Sequence, residues 1–224
     1  MNTMNIEQAR FNMIEQQIRP WDVLNLGVLE LLAVVKREDF VPAEYRALAF
    51  VDTEVPLPGS TGGQQCMLSP KVEARLLQEL AVHKHERVLE IGAGSGYMAA
   101  LLAHKAQQVS SLEIDPALAS FAAANLKRAG VMNASVLNAD GASGLAADGP
   151  FDVILLSGSV AEVPELLLSQ LKVGGRLAAI VGVEPVMRAV LITRSGDGGL
   201  ERTVLFDTVA QRLRGFAEPT RFRF

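Results

Sequence analysis

The sequence predicts an α/β fold built on a mainly parallel, doubly wound sheet of seven strands. From Arg87 onward, short runs rich in β-branched residues alternate with runs that have helical periodicity. A turn with three glycines follows the first of these apolar runs, where a strand would give way to a helix. Such alternation favours parallel strands with helices on both faces, because parallel neighbours are joined by long crossover connections.

The first part of the chain has the pattern of helices followed by a loop. Apolar positions recur at helical spacing over 5–18 and 23–37, and Pro20 separates the two segments. Residues 51–65 concentrate proline and glycine, which predicts a loop or short strands. A further helix is expected from about Pro70, because proline is tolerated in the first helical turn.

Seven strands and three intervening helices are predicted in the remainder of the chain. The last two strands flank the sequence SGDGG at 195–199, which predicts an antiparallel hairpin. The predicted strands cover 87–91, 109–113, 134–138, 152–157, 176–181, 189–194 and 203–208. The predicted helices cover 95–106, 116–129 and 162–171.

The composition argues against several classes of function. A net charge of −4 disfavours nucleic acid as a partner, because duplex binding needs clustered Lys and Arg. The single cysteine, Cys66, allows no internal disulfide, and His83 and His85 lack the further ligands that a zinc site needs. No apolar span is long enough to cross a bilayer, and 1–20 lacks the apolar core of a signal peptide. We therefore expect a soluble, cytoplasmic protein without a metal, a membrane or nucleic acid as partner.

The glycine turn lies in RVLEIGAGSGY, residues 87–97, at the carboxyl end of the first predicted strand. Glycine permits positive φ and has no side-chain bulk, so a ligand can lie directly against the main chain there. The dinucleotide fingerprint G-x-G-x-x-G would need its last glycine at the position of Tyr97. The sequence has E-x-G-x-G-x-G instead, formed by Glu90, Gly92, Gly94 and Gly96.

This pattern resembles the first motif of the S-adenosylmethionine-dependent methyltransferases of Rossmann-like fold. That cofactor has no pyrophosphate, but an acidic residue such as Glu90 and free backbone amides can orient its ammonium and carboxylate groups. Glu113, followed by Ile114, ends the second predicted strand and can accept both ribose hydroxyls. Asp140, followed by Gly141, comes after the third strand and can accept the adenine amino group. Glycine turns and strand-end acids also occur in other α/β proteins, so it is their combination that favours a site for this cofactor.

The resemblance extends over nearly the whole chain. It is carried by DVLNLGVLELLAVVKREDFVPAEYRALAFVDTEVPL, RVLEIGAGSGY, NADG, FDVILLSGSVAEVP, QLKVGGRLAAIVG and FDTV. Together these segments resemble the protein-L-isoaspartate O-methyltransferase family. The resemblance implies a protein-repair enzyme that uses S-adenosyl-L-methionine to methylate a carboxylate of isoaspartyl residues in damaged proteins or peptides. It also implies a single methyltransferase domain over 1–224, with N-terminal helices and a substrate loop in 1–80 and a Rossmann-like cofactor-binding core in 81–224.

The substrate loop departs from the family pattern. In the family this loop typically reads G-Q-T-I-S-x-P, and its serine is associated with binding of the isoaspartyl substrate. Here the loop reads GGQQCMLSP, which places Leu68 at the serine position and Ser69 one residue later. The segment between Pro58 and Pro70 is also longer than usual. The residues predicted to provide polar contacts in the catalytic site instead are Gln65, Ser69 and Ser157, with Gln64 as a further candidate.

Alternatives stay open at the level of sequence. The same scaffold could methylate a different acceptor, since Leu68 and the longer loop change the substrate side. The chain could also bind S-adenosylmethionine or S-adenosylhomocysteine without catalysis. The C-terminal residues 215–224, GFAEPTRFRF, could form a docked strand, an oligomer contact or a mobile end.

Overall fold

The computed structural model describes residues 3–59 and 65–218. The N-terminal segment is helical, as its apolar periodicity predicts. Helix α1 (Thr3–Met13) continues as a wider π-helical turn over Ile14–Ile18, and helix α2 spans Leu26–Val34. Helix α2 begins later than predicted because Asn25 caps it, accepting a hydrogen bond from the Val28 amide at 3.2 Å.

A short hairpin and a helix lead from this segment into the main sheet. Strand β1 (Val55–Pro56) pairs antiparallel with strand β2 (Cys66–Met67), and β1 falls within 51–65, where a loop or short strands are predicted. Helix α3 (Pro70–Leu80) begins at the expected proline and buries an apolar face that includes Leu76 and Leu77.

Within the described residues, the main sheet has seven strands. They are β3 (Arg87–Ile91), β4 (Gln108–Glu113), β5 (Ala134–Asn138), β6 (Phe151–Val160), β7 (Leu171–Val183), β8 (Val186–Arg194) and β9 (Leu200–Asp207). Their spatial order is β5-β4-β3-β6-β7-β8-β9, and the strands from β5 to β7 in that order are parallel. The predicted fold class, a mainly parallel doubly wound sheet, is confirmed.

The antiparallel part of the sheet is larger than the sequence predicts. Strand β8 pairs antiparallel with β9, as expected of a final hairpin, but it also pairs antiparallel with β7. Only Glu184 and Pro185 separate β7 from β8. Parallel pairing needs a crossover of a dozen or so residues, so a connection this short requires the antiparallel arrangement.

Helices connect the parallel strands. Helix α4 (Tyr97–Lys105) follows β3, α5 (Pro116–Arg128) follows β4, and α6 (Glu165–Ser169) follows β6. Helix α6 is shorter than predicted, because it begins only after Pro164 and the chain enters β7 at Leu171.

Buried apolar side chains lie on both faces of the sheet. Val88 and Val153 pack toward the N-terminal helices, whereas Leu89 and Ile154 pack toward the opposite face. This alternation is the one that a strand buried on both faces requires. No helix in the described part of the chain combines the length and the apolar character needed to cross a bilayer. The carboxyl ends of the parallel strands meet at one edge, and the predicted site residues lie there.

Candidate active site

The glycine turn connects the carboxyl end of β3 to helix α4. Gly92 and Gly94 have φ values of +92° and +52°, which residues other than glycine rarely adopt. The Gly92 amide donates to the Leu112 carbonyl at 2.8 Å, and the Gly94 amide donates to the Glu113 carboxylate at 2.9 Å. Gly96 immediately precedes the first residue of α4. The turn is thus held directly against the acid that ends β4.

The next strand adds a second acid near the same edge. Asp140 follows β5 and accepts a hydrogen bond from the Ala142 amide at 2.9 Å, which fixes a short turn. Gly141 lies so close to β3 that an added Cβ would be 2.2 Å from the Cγ2 atom of Ile91. A side chain at position 141 would therefore displace Ile91, which lines the cleft described below.

One cleft brings together most of the predicted cofactor residues. Its lining includes Gly92, Gly94, Glu113, Ile114 and Gly141. Glu90 lies in a smaller cavity that adjoins the cleft, whereas Gly96 and Asp140 are not among the residues that line either space. The strand ends therefore arrange six of the eight predicted cofactor residues around two adjoining spaces, as the order of the parallel strands requires.

Glu90 is the innermost acid of the site. It is fully buried and accepts hydrogen bonds from the hydroxyls of Ser111 at 2.5 Å and Ser157 at 2.8 Å. Burial raises the pKa of Glu90 to about 7; the two hydroxyl bonds oppose this rise, and the Glu113 and Glu73 carboxylates add to it. A cation beside Glu90 would favour its ionised form, so an ammonium group bound there would lower the pKa of Glu90 and promote loss of its proton near neutral pH.

The side of the substrate loop is mainly apolar. Leu68 is buried and lines both the cleft and the smaller cavity, as does Ser157. Gln65 lines the cleft and its side chain hydrogen-bonds to Asp115. Ser69 lines neither space; it is the residue immediately before helix α3, and its side chain makes no capping hydrogen bond. Of the predicted catalytic contacts, the fold therefore brings Gln65 and Ser157 to the cleft and leaves Ser69 outside it, while Gln64 lies outside the described residues.

Cys66 also lines the cleft, but its surroundings make the thiol unreactive. Its Sγ atom lies 3.2 Å from a carboxylate oxygen of Glu54. Burial and the Glu54 carboxylate both raise the pKa of the Cys66 thiol far above its ordinary value. The thiol stays protonated at neutral pH and does not act as a nucleophile.

Sequence reasoning missed a buried arginine that holds the substrate loop. Arg37 is only 1% exposed, and its guanidinium donates to the Leu68 carbonyl at 2.9 Å, the Ala49 carbonyl at 3.2 Å and the Glu73 carboxylate at 3.2 Å. The Arg37 guanidinium thus fixes the backbone of Leu68 through its carbonyl group. The signal in the sequence was a charged residue within the apolar periodicity of 23–37.

Ser111 was missed as well. It lies in the middle of β4 and is fully buried, so its hydroxyl needs a partner within the protein, which Glu90 provides. The signal was a pair of serines, VSSLE, inside an otherwise apolar predicted strand.

The chain after β9 returns across the cleft, and we call residues 210–216 the covering segment. The Ser159 amide donates to the Gln211 carbonyl at 2.8 Å, and the Leu213 amide donates to the Ser159 carbonyl at 2.9 Å. The side chain of Leu213 lies on the glycine turn, where its Cδ2 atom would be 2.7 Å from a Cβ added to Gly92. Phe216 is buried. The described part of the tail is therefore docked, whereas residues 219–224 lie outside the described residues.

The residues of the cleft fit a nucleoside that carries an ammonium group and has no pyrophosphate. Two carboxyl groups, Glu90 and Glu113, flank a turn that presents main chain rather than side chains. The basic residues of the lining, Arg212 and Arg214, are each paired with a carboxylate and do not form a phosphate clamp. S-adenosylmethionine has the vicinal hydroxyls, the ammonium group and the positive sulfur that this arrangement of acids suits.

Fold and site together define a Rossmann-like methyltransferase that uses S-adenosylmethionine. The family model described as Protein-L-isoaspartate(D-aspartate) O-methyltransferase matches residues 9–210. The chain belongs to the protein-L-isoaspartate O-methyltransferase family, which confirms the resemblance of its motifs.

Relatives of known name agree over most of their length. The chain is 39% identical over 199 residues to the protein-L-isoaspartate O-methyltransferase of Koribacter versatilis, covering 88% of this chain and 87% of that protein. It is 37% identical over 202 residues to protein-L-isoaspartate O-methyltransferase 1 of Syntrophobacter fumaroxidans, covering 90% and 92%.

Solved structures agree in fold. A putative protein-L-isoaspartate O-methyltransferase from Plasmodium falciparum, in complex with S-adenosyl-L-homocysteine, superposes with a TM-score of 0.78 at 22% identity, covering 92% of this chain and 98% of that one. Another protein-L-isoaspartate O-methyltransferase gives a TM-score of 0.76 at 25% identity, covering 96% of this chain and 66% of that one.

Proposed function

We propose that this protein transfers the methyl group of S-adenosylmethionine to the free carboxylate of isoaspartyl residues in proteins or peptides. The observation that carries the proposal is that the cleft and the smaller cavity adjoin each other. The cleft formed by the glycine turn, Glu113 and Gly141 adjoins the cavity that holds Leu68, and Ser157 lines both. Family membership over residues 9–210 supports the same reaction.

Each part of the cleft has a distinct task in this reaction. Glu113 is expected to accept the ribose hydroxyls, and Glu90 is expected to face the ammonium group of the cofactor. Gly92 and Gly94 let the ligand lie against the main chain. The covering segment is then expected to exclude water from the cleft. When bound, S-adenosylmethionine supplies a methyl group on a positively charged sulfur.

The acceptor needs placement more than activation. A carboxylate is already ionised at neutral pH, so no strong general base is required for methyl transfer. Cys66 stays protonated and the Ser157 hydroxyl is engaged with Glu90, which agrees with a site that positions rather than deprotonates its acceptor. The protein must hold one carboxylate oxygen about 3 Å from the methyl carbon, opposite the sulfur.

The relatives do not favour a different acceptor or a binding module without catalysis, since the named homologues are isoaspartate methyltransferases over most of this chain. A cytoplasmic location stays a prediction from the sequence.

Two measurements on the full chain test the proposal. Calorimetric titration with S-adenosylhomocysteine should show binding to one site, and transfer of a labelled methyl group should occur to an isoaspartyl peptide. The matched control is the same peptide with ordinary aspartate, which should accept no label above background. Binding without transfer to the isoaspartyl peptide, or equal transfer to both peptides, would contradict the proposed function.

A further inference from the structure

Arg212 stands in the covering segment and lines the cleft beside the glycine turn. Its backbone forms a parallel bridge with Ser159, the buried serine near the end of β6. Arg212 lines the same cleft as Gly92, Leu68 and Ser157. The guanidinium is therefore carried by the segment that closes the site.

The three nitrogens of this guanidinium are used unequally. Nη2 donates to the Gly182 carbonyl at 3.0 Å, and Nε lies 3.0 Å from the carboxylate of Glu218. Nη1 is buried and has no hydrogen-bond partner among the described residues. A buried donor on a charged group that lacks an acceptor costs free energy, so a ligand that brings an acceptor to Nη1 gains that free energy on binding.

Three other side-chain donors of the lining, Cys66, Ser157 and Arg214, are already committed to carboxylates of the protein. Gln65 is bonded to Asp115, and the exposed Gln211 carries no charge. Arg214 pairs with Asp115, which caps helix α5. Leu68 offers only hydrocarbon to the smaller cavity that adjoins the cleft. Among the described side chains of the lining, Arg212 thus combines a positive charge with a buried nitrogen that has no acceptor.

We propose that Arg212 binds the carboxylate of the methyl acceptor through Nη1 and so determines which acceptors are methylated; this inference rests on the proposed function. Because the other two nitrogens are held by Gly182 and Glu218, Nη1 can engage a single carboxylate oxygen. The second oxygen keeps its electron pair for attack on the methyl carbon. A bidentate contact would occupy both oxygens and reduce their nucleophilicity.

Glu218 has a defined part in this arrangement. Its side chain is 56% exposed, so the pair with Arg212 is a weak surface pair on the solvent side of a mostly covered guanidinium. The Glu218 carboxylate partly neutralises the charge that the acceptor carboxylate meets. Removing that negative charge should therefore tighten acceptor binding.

The decisive experiment is steady-state kinetics of Arg212→Met with an isoaspartyl peptide, beside calorimetry with S-adenosylhomocysteine. Loss of one charge-assisted hydrogen bond should raise the peptide KM by about ten- to a hundredfold. The kcat and the affinity for S-adenosylhomocysteine should stay near the values of the unsubstituted protein, because the lost contact is made to the acceptor in the ground state as well.

Arg188→Met is the matched control, since Arg188 is an exposed arginine on β8 that pairs with Asp207 away from the cleft. Its peptide KM should be unchanged. An unchanged peptide KM in Arg212→Met, or an equal rise in both variants, would overturn the inference about Arg212. The proposed function would still be supported in that case, provided that the unsubstituted protein transfers methyl groups to the isoaspartyl peptide. Absence of transfer to isoaspartyl peptide by the unsubstituted protein overturns the proposed function and this inference together.

Glu218→Gln keeps the inference testable if Arg212→Met does not fold. This variant leaves Arg212 and its bond to Gly182 in place and removes only the competing charge. The peptide KM should fall by up to about fivefold, the effect expected of one exposed ion pair. A KM that stays the same or rises would overturn the inference.

Discussion

At the scale of single residues, Glu113 is bound to the protein through both of its oxygens. One accepts the Gly94 amide at 2.9 Å and the other accepts the Asp115 amide at 3.1 Å. These backbone bonds orient the carboxylate toward the cleft before any ligand arrives. We expect preorganisation of this kind to lower the entropic cost of binding the ribose of the cofactor.

Replacement of Glu113 by alanine should therefore weaken cofactor binding. We expect the dissociation constant for S-adenosylhomocysteine to rise about ten- to a hundredfold, because a charge-assisted contact to the ribose is lost. Calorimetry measures the change, and Glu201→Ala, an exposed acid on β9, serves as control. Unchanged affinity would remove Glu113 from the cofactor site.

Glu90 makes the stability of the fold depend on pH. Its pKa is raised from 4.5 to about 7, so between these values the folded chain keeps a proton that the unfolded chain has lost. The stabilising contribution is fully present below pH 4.5 and is lost as the pH rises through about 7. The free energy of unfolding should fall across this window.

Glu90→Gln tests this dependence, because glutamine keeps hydrogen-bonding capacity toward Ser111 and Ser157 without a titrating proton. The fall in unfolding free energy between about pH 4.5 and about pH 7 should shrink by about 3 kcal/mol, measured by urea titration at several pH values. Glu201→Gln should leave the pH dependence as it is. If Glu90→Gln also leaves it unchanged, the raised pKa is wrong.

Leu68→Ser asks whether hydrocarbon at this position limits acceptor binding. A hydroxyl could donate to the acceptor carboxylate, so kcat/KM for an isoaspartyl peptide should rise about tenfold. Stability should fall by about 2–5 kcal/mol, since a buried leucine is truncated. Leu68→Ala is the matched control, because it truncates the side chain without adding a hydroxyl. Equal kinetics in the two variants would argue against a role for a hydroxyl at position 68.

At the scale of secondary-structure elements, the covering segment depends on Ser159. Besides the two backbone bonds to Gln211 and Leu213, the Ser159 hydroxyl donates to the Ala210 carbonyl at 2.8 Å. Ser159 is fully buried, so these bonds are shielded from water. One residue of β6 thus fixes the start of the segment that closes the cleft.

Ser159→Ala should loosen this segment without unfolding the sheet. Loss of the hydroxyl leaves the Ala210 carbonyl without that donor and costs about 1–3 kcal/mol locally. We expect faster amide hydrogen exchange at Leu213, with little change at Val190 in the middle of β8. Ser120→Ala, on the exposed side of α5, should leave exchange in the segment unaffected. Protection at Leu213 equal to that of the unsubstituted protein would contradict this account.

At the scale of the whole molecule, Arg37 joins the N-terminal segment to the rest of the fold. It lies after α2, and its guanidinium reaches the Glu73 carboxylate on α3 and the Leu68 carbonyl in the substrate loop. Removing one partner of a buried ion pair leaves the other charge uncompensated. The position of the substrate loop therefore depends on a residue distant in sequence.

Arg37→Met should destabilise the protein by about 3–5 kcal/mol, because the Glu73 carboxylate is left buried without its partner. Arg37→Met combined with Glu73→Leu should recover much of that loss, because the buried carboxylate is then removed as well. Urea denaturation measures both. The exposed Arg19 and Glu15 pair supplies a control in which Arg19→Met changes stability by less than about 1 kcal/mol. A double variant no more stable than Arg37→Met would show that Glu73 is not the dominant partner.

The sequence was sufficient for the class of fold and for its ligand-binding edge. Alternation of apolar runs predicts the parallel strands, and the spacing of Gly92, Gly94 and Gly96 distinguishes the turn from a dinucleotide fingerprint. These are local signals, set by the conformations that each residue permits within a few positions along the chain. The division of the chain at residue 80 stays a prediction.

Tertiary structure alone decided the contacts between distant residues. Ser111 and Ser157 meet Glu90 because β4 and β6 are the two neighbours of β3, an order that no single segment encodes. The return of residues 210–216 over the glycine turn is equally non-local. Local propensity fixes which elements form, whereas burial of their apolar faces fixes which polar side chains are left facing one another. In this protein the second step brings Ser111 and Ser157 to Glu90.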